Sequence, residues 1–460
     1  MKLVEKCLRA AVGALLRVLL GIYFRRIETF HPERVPLDGP LLFTSNHPGS
    51  VTDAFIIGTS VPRRVHFVAT VQLFKFKPLA WLLKQCGIIP INRVRDDPKA
   101  MRSVMETFEA CFKVLERGGA VGIFPEGVTY DDSQLKTVKT GAARMALELE
   151  NRHAGKLGLK IVPVGLTYSA KERYRSEVLA HFGEPIRAAE FIDGYSERRK
   201  DAINELSAEI ERRIQSLILH LPKLEEARVV EAVKRLYLDR LKLGNDIIKE
   251  PVSLQAEELV LTQAINNAVS YVNRNQPDRF MAFVRKLNDY ERWLQRLKLS
   301  DETVRRFAVP GGLAQSSVMW AFVAVIGFPV ALYGWVHRLV PAALVSWVAN
   351  RLTDAHARKA QAPHTSMLTG LAGFSACYVV YVWLVHRWFG WPVSLWYAVS
   401  LPVAGLIAHY YLRGMIRLYD ACRTVAVLFR VPLARRRLLS LRARLIAEIE
   451  DARREYRGAM

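Results

Sequence analysis

Cysteine is scarce and badly placed for cross-linking: the five in 460 residues (Cys7, Cys86, Cys111, Cys377 and Cys422) have no paired short spacing. That argues against both a disulfide framework and a structural zinc site, and fits a reducing surrounding. The histidines are scattered, with no two at metal-ligand spacing, so neither a metal nor another resident cofactor is expected. No recognised nucleic-acid motif accompanies the basic residues, and no nucleic-acid partner is expected. Acidic residues are also short, 44 against 66 Lys plus Arg, for a net charge of +22. Such an excess favours an anionic partner, and long apolar segments make a phospholipid surface the natural choice. The first apolar stretch, residues 8–24, falls short of the ~20 residues a span needs. No small-residue cleavage site follows it before Leu41, so residues 1–30 read as a helix lying on a membrane rather than a signal peptide.

The rest divides by pattern. Over residues 31–192 apolar strand-like runs alternate with helical stretches, the signature of an α/β domain: a mixed sheet flanked by helices. Residues 193–310 are rich in Glu, Lys, Arg and Leu at helical spacing, as in Ala202, Ile203, Leu206, Ile210, Ile214 and Leu217. They read as a helical appendage with a solvated basic face. Residues 311–415 read as an α-helical transmembrane region. Three nearly uncharged stretches, 313–336, 366–385 and 393–412, are long enough to cross, while 339–349 is too short; either it is the return leg of a shallow hairpin or 313–336 re-enters without crossing. Small residues Gly370, Gly373 and Ser375 suit close helix packing there. The Arg-rich tail 416–460 and the Arg305-Arg306 flank put both ends of this region in the cytoplasm by the positive-inside rule.

The chemistry sits in the α/β part. In Asn46-His47-Pro48-Gly49-Ser50-Val51-Thr52-Asp53 a carboxylate follows an imidazole across a Pro-Gly bend. Asp53 against one ring nitrogen leaves the other free to accept a proton. This is the base and orienter of a triad without a nucleophile of its own, so a substrate hydroxyl must supply one. Further on, Ile88-Ile89-Pro90-Ile91-Asn92-Arg93 reads as a buried strand ending in a guanidinium, whose planar fork suits a phosphate. Another apolar run stops at Phe124-Pro125-Glu126-Gly127, followed by a polar loop through Thr129, where Gly127 permits close backbone approach. A fourth strand carries Pro163 and Gly165.

These four blocks, in this order, resemble the glycerolipid acyltransferase superfamily, which makes lysophosphatidic and phosphatidic acid. The Lys139-Thr140-Gly141-Ala142 stretch is similar to the family's continuation of the third block, and the likeness spans residues 36–185. It implies a membrane-bound O-acyltransferase that moves a fatty acyl group from acyl-CoA or acyl carrier protein to a glycerol-phosphate-type acceptor. His47 and Asp53 would be catalytic. Arg93, with Asn92, Glu126, Gly127 and Thr129, would bind the acceptor. The usual family spacing has four residues between His and Asp, and here there are five. One extra residue swings a helical side chain by about 100°, so the bend at Pro48-Gly49 must absorb it. Branches that acylate glycerol-3-phosphate or dihydroxyacetone phosphate share the longer spacing, which favours those acceptors, with lysophosphatidic acid second. Phe74, Phe76, Leu79 and Trp81 read as core or bilayer contacts that would lie near an acyl-chain entrance. Two other readings stand beside this one: a non-catalytic membrane scaffold on the same fold, and an acyltransferase for a non-phosphorylated acceptor, for which Arg93 has little use.

Overall fold

A computed structural model describes the whole chain except residues 1, 75–76, 86, 92–100, 128–134, 136, 171–172, 219–223, 244–253, 309–313, 353–357 and 460. The chain forms two compact units. The first holds Met1–His220, Val252–Ala256 and Ala349–Leu368, the second Leu221–Pro251, Glu257–Val348 and Thr369–Met460.

The first unit begins with α1 (Lys2–Tyr23), β1 (Arg26–Phe30), β2 (Leu41–Ser45), α2 (Val51–Ser60), β3 (Val65–Thr70) and α3 (Lys77–Gln85). It continues with β4 (Ile89–Ile91), α4 (Met101–Leu115), β5 (Ala120–Ile123), α5 (Gly141–Arg152), β6 (Lys160–Tyr168), β7 (Glu177–Phe182), β8 (Ile186–Arg187) and α6 (Arg199–Leu217). The strands form one mixed sheet in the order β1-β7-β6-β2-β5-β3-β4, with β8 paired to β6. The run β6-β2-β5-β3-β4 is parallel and β7 is antiparallel to β6.

β2 is central and fully buried, which is why Leu-Leu-Phe-Thr-Ser shows no polar alternation. Leu42, Val121 and Ile161 face a core layer built by α4, α5 and α6, while Leu41, Phe43, Val162 and Val164 face one built by α1 and α2. Pro163 sits where β6 passes from β8 to β7. Gly183 N–H bonds to its carbonyl at 2.9 Å. A side chain at Gly165 would run into Leu217 at the end of α6.

That packing moves a boundary. The appendage expected from residue 193 begins instead beyond α6, because Ala202, Ile203, Leu206, Ile210 and Ile214 are the apolar stripe that closes one face of the sheet. Likewise β1, within the stretch assigned to the N-terminal helix, is an edge strand, and Leu19, Leu20 and Tyr23 of α1 are core residues.

The second unit draws its core from α7 (Leu224–Leu243), α8 (Leu254–Asn275), α9 (Pro277–Leu297), α10 (Asp301–Ala308) and α13 (Pro432–Gly458), around Val230, Leu236, Leu287, Tyr290, Val304, Leu438 and Leu445. The basic tail is thus mostly a packed helix rather than a free extension. Between α10 and α13 lie α11 (Ala314–Leu352) and α12 (Arg358–Arg430). Each contains a segment long and apolar enough to cross a membrane, Phe322–Ala349 and Thr369–Arg430, of whose most apolar windows only 11% and 28% is buried. α11 runs unbroken through Pro329 and Pro341, so residues 339–349 continue the first long helix and are not a return leg. The break falls at Gly390, where φ 73° and ψ −180° interrupt α12 and its two arms fold back: His337 lies against Tyr381 of one and Tyr397 of the other. Polar side chains here pair inward, Tyr333 with Ser400 at 2.7 Å and Arg338 with the Gly405 carbonyl at 2.8 Å. Close packing occurs at Gly334 against the Ala404 carbonyl and at Gly373 against Val345, whereas a side chain at Gly370 would meet nothing within 4 Å.

Candidate active site

Because β2, β5 and β6 are parallel, their carboxyl ends open on one edge of the sheet, where α/β folds deliver side chains to ligands. The loop after β2 carries His47 and the one after β5 carries Phe124 to Gly127, while β6 ends in Tyr168. β4 ends on the same edge at Ile91. Asn92, Arg93 and Thr129 lie outside the described residues.

Asn46 pins the first loop. Its amide accepts the Leu166 N–H at 2.7 Å and donates to the Leu166 carbonyl at 2.9 Å, extending the β2–β6 ladder past the last strand pair. His47 follows. Its Nδ1–H donates to Asp53 Oδ2 at 2.9 Å, and Phe124 stacks on the ring at 3.9 Å between centroids and 15° between planes. The carboxylate, an acceptor only, fixes the proton on Nδ1 and leaves Nε2 as the basic nitrogen. Nε2 makes no hydrogen bond among the described residues, and the side chain is 13% exposed.

The additional residue between His47 and Asp53 is taken up before α2 starts. Ser50 holds φ 56° and ψ −134°, a conformation nearly reserved for glycine, and the helix begins at Val51. Asp53 is then the third residue of α2, so its carboxylate reaches back over the helix start, where charge and free N–H groups favour an anion. It is fully buried and holds three donors: His47 Nδ1, Gly49 N at 2.8 Å and the Tyr168 hydroxyl at 2.5 Å. Burial first, and then the charge of Asp53, keep the Tyr168 hydroxyl well above the ordinary tyrosine pKa, so it remains a donor. A side chain at Gly49 would fall 2.6 Å from the Tyr168 hydroxyl and 2.7 Å from Asp53 Oδ1. Only glycine lets the two close over the bend.

Glu126 is buried too, and its Oε1 accepts the His47 backbone N–H at 2.8 Å. It therefore holds the loop that carries the base. Gly127 has φ 70°, and its own N–H closes the turn on the Phe124 carbonyl at 3.1 Å. That N–H is therefore already bonded within the turn. A side chain there would meet Lys139 Nζ at 2.7 Å, which brings a cation to the same turn. Trp81 is more than half exposed rather than core.

His47 and Asp53 meet across the bend as their spacing suggested, and Glu126 and Gly127 lie beside them. Asn46, Phe124 and Lys139 stood in the quoted blocks without a role of their own, and Tyr168 was not named. Tyr168 had a signal: it follows Val164 and Leu166 at period two on β6, so it shares their face. The arrangement is a held imidazole with one open nitrogen, beside a buried carboxylate and a nearby ammonium. It can take a proton from a bound hydroxyl.

This geometry defines a base-and-orienter site on an α/β sheet. Residues 26–167 match the family model described as Acyltransferase. Over 134 residues the chain is 34% identical to glycerol-3-phosphate O-acyltransferase 1 of Saccharomyces cerevisiae, covering 28% of this chain and 18% of that protein. Glycerol-3-phosphate O-acyltransferase 2 of the same yeast is 29% identical, over 43% of this chain and 25% of its own length. The chain thus spans a quarter or less of these two relatives. The 1-acyl-sn-glycerol-3-phosphate acyltransferase of Bacillus subtilis is 26% identical over 42% of this chain and 91% of its own. The crystal structure of the 1-acyl-sn-glycerophosphate acyltransferase of Thermotoga maritima superposes with a TM-score of 0.33 at 19% identity, covering 46% of this chain and 80% of that one.

Proposed function

We propose that this chain is a membrane-bound O-acyltransferase of glycerolipid synthesis. It would transfer a fatty acyl group from coenzyme A or acyl carrier protein to a glycerol-phosphate-type acceptor. The observation that carries the reading is the Asp53-held imidazole whose Nε2 is bonded to no serine or cysteine among the described residues. A base without a nucleophile calls for a substrate hydroxyl.

In this reading Nε2 of His47 removes the hydroxyl proton as the oxygen attacks the thioester carbonyl. The carbon–sulfur bond breaks in the tetrahedral collapse, and the thiolate takes the proton back from the imidazolium. Asp53 stabilises the imidazolium, and Tyr168 and the Gly49 amide hold Asp53. Base catalysis of this kind contributes roughly a hundred- to ten-thousand-fold. Arg93 clamps the acceptor phosphate and Lys139 adds positive charge beside the Gly127 turn. The two long apolar helices hold the enzyme in the bilayer, with the catalytic part on the cytoplasmic side.

Glycerol-3-phosphate or dihydroxyacetone phosphate is the favoured acceptor, supported by the names of the two yeast relatives and by the five-residue spacing that Ser50 absorbs. Lysophosphatidic acid comes second, supported by the name of the Bacillus relative. The test is thiol release by the purified chain from palmitoyl-coenzyme A and palmitoyl carrier protein, with the three acceptors offered separately. Release that depends on glycerol-3-phosphate or dihydroxyacetone phosphate is expected. Transfer to none of the three, or release that ignores the acceptor, would overturn the reading.

A further inference from the structure

Helices α7, α8, α9 and α13 of the second unit line a half-open hollow of about 540 Å³. Small-molecule sites run from about 300 to 1,000 Å³ with apolar walls and a few placed polar groups. The walls here are Val233, Ile265, Ala268, Val272, Phe283 and Ile449. Along α7 the lining runs from Val229 to Leu241, about 18 Å at ~1.5 Å per residue. That is a long space with room for one extended hydrocarbon chain.

Its charge is uneven. Arg279 from the first turn of α9 and Arg457 from the last turn of α13 line the hollow near where α8 finishes, and Arg453 lines it further in, beside Tyr237. Asp278 and Glu455 are the acids of those same turns, against Arg279, Arg453, Arg454 and Arg457, which leaves the end net positive. Arg279 reaches both Glu455 and Gln276, and Arg453 donates to the Tyr237 hydroxyl at 3.4 Å. Glu448, further along the lining, is bonded to Lys286.

We infer that this cavity binds a single-chain anionic amphiphile, with the hydrocarbon chain between α7, α8 and α13 and the anionic head against Arg279, Arg453 and Arg457. The site uses none of the acyl-transfer residues. A fatty acid, a lysophosphatidic acid and an acyl-coenzyme A all share the required chemistry.

The test is photolabelling of the full chain in phosphatidylcholine nanodiscs. The probes are diazirine-bearing palmitate, lysophosphatidic acid, palmitoyl-coenzyme A and the neutral hexadecanol. Peptides of α7, α8 and α13 should carry label from at least one anionic probe, at least ten times more than from the alcohol, and the probe that labels identifies the source. Ala268→Trp fills the hollow and should cut that label tenfold or more, with Ala264→Phe as a second filling variant should the first fail to fold. His47→Ala should keep the label, so a wrong catalytic reading does not mimic a wrong site. Equal labelling by the alcohol, label confined to α11 and α12, or full label in folded filling variants would overturn the inference.

Discussion

Each unit of the molecule buries a carboxylate with a tyrosine hydroxyl and a basic side chain. In the first, Asp53 takes Tyr168 at 2.5 Å and His47 at 2.9 Å. In the second, Asp301 takes Tyr290 at 2.6 Å and Arg442 at 2.9 Å, on side chains 9% and 11% exposed. The tyrosines behave alike, both pushed above their ordinary pKa by burial first and by the neighbouring aspartate second. The base makes the difference. A guanidinium never gives up its proton, so the Asp301 group can only lock α9, α10 and α13 together. An imidazole can, and His47 keeps one nitrogen open. The same scaffold serves cohesion in one unit and, on the proposed reading, chemistry in the other.

Removing the two carboxylate charges should split the pair most sharply. Asp53→Asn is expected to lower turnover by roughly a hundred- to ten-thousand-fold with little change in melting temperature. Asp301→Asn should do the reverse: it strands the Arg442 charge, destabilising by about 3–5 kcal/mol, and leaves turnover per folded molecule unchanged. Thermal melting and thiol release on both variants check this, and similar behaviour of the two would break the contrast.

A third buried base sharpens it from the side of pH. His181 lies tilted against Phe30 and donates to the Leu217 carbonyl at 3.3 Å. Burial pushes its imidazole down to about 4, with His31 and Arg34 adding to the fall. Between pH 6.5 and about 4 the unfolded chain therefore binds a proton that the fold refuses, so stability drops as pH falls through that window. The loss is at most about 3.5 kcal/mol, at ~1.4 kcal/mol per pH unit. His181→Phe should flatten that part of the melting-temperature profile, and parallel curves for variant and parent would contradict it.

Tyr168→Phe, which keeps the ring, tests the positioning role. Loss of one hydrogen bond to a charged group is worth about 1.5–3 kcal/mol, so kcat should fall roughly ten- to a hundredfold, at ~1.4 kcal/mol per tenfold. The Michaelis constants of both substrates should stay put, since Tyr168 acts through Asp53. A rise in Michaelis constant with kcat intact would give it another task.

Much of the site was legible in the chain because its parts are local. The His47–Asp53 contact lies within one bend, and Glu126 and Gly127 within one turn. The additional residue in that bend was visible as a spacing, but its remedy, one strained backbone at Ser50, was not. Asn46 and Tyr168 act across the sheet, and a contact between positions 46 and 166 or 53 and 168 leaves no mark in either segment. The fold follows the same division. Buried strands announced themselves by apolar runs. The amphipathic stripe of α6 was seen, but a stripe does not say what it covers, and it covers the sheet rather than an appendage. In the apolar helices, hydropathy marked the long stretches, while the continuity of α11 through two prolines and the fold-back at Gly390 leave no mark in hydropathy.

The most direct measurement of the central claim is acyl transfer by purified His47→Ala beside the parent chain, at matched folded concentration and saturating acceptor. The account predicts that acceptor-dependent thiol release falls by at least roughly a hundredfold while melting temperature and membrane extraction are unchanged. Turnover within a few-fold of the parent would contradict it.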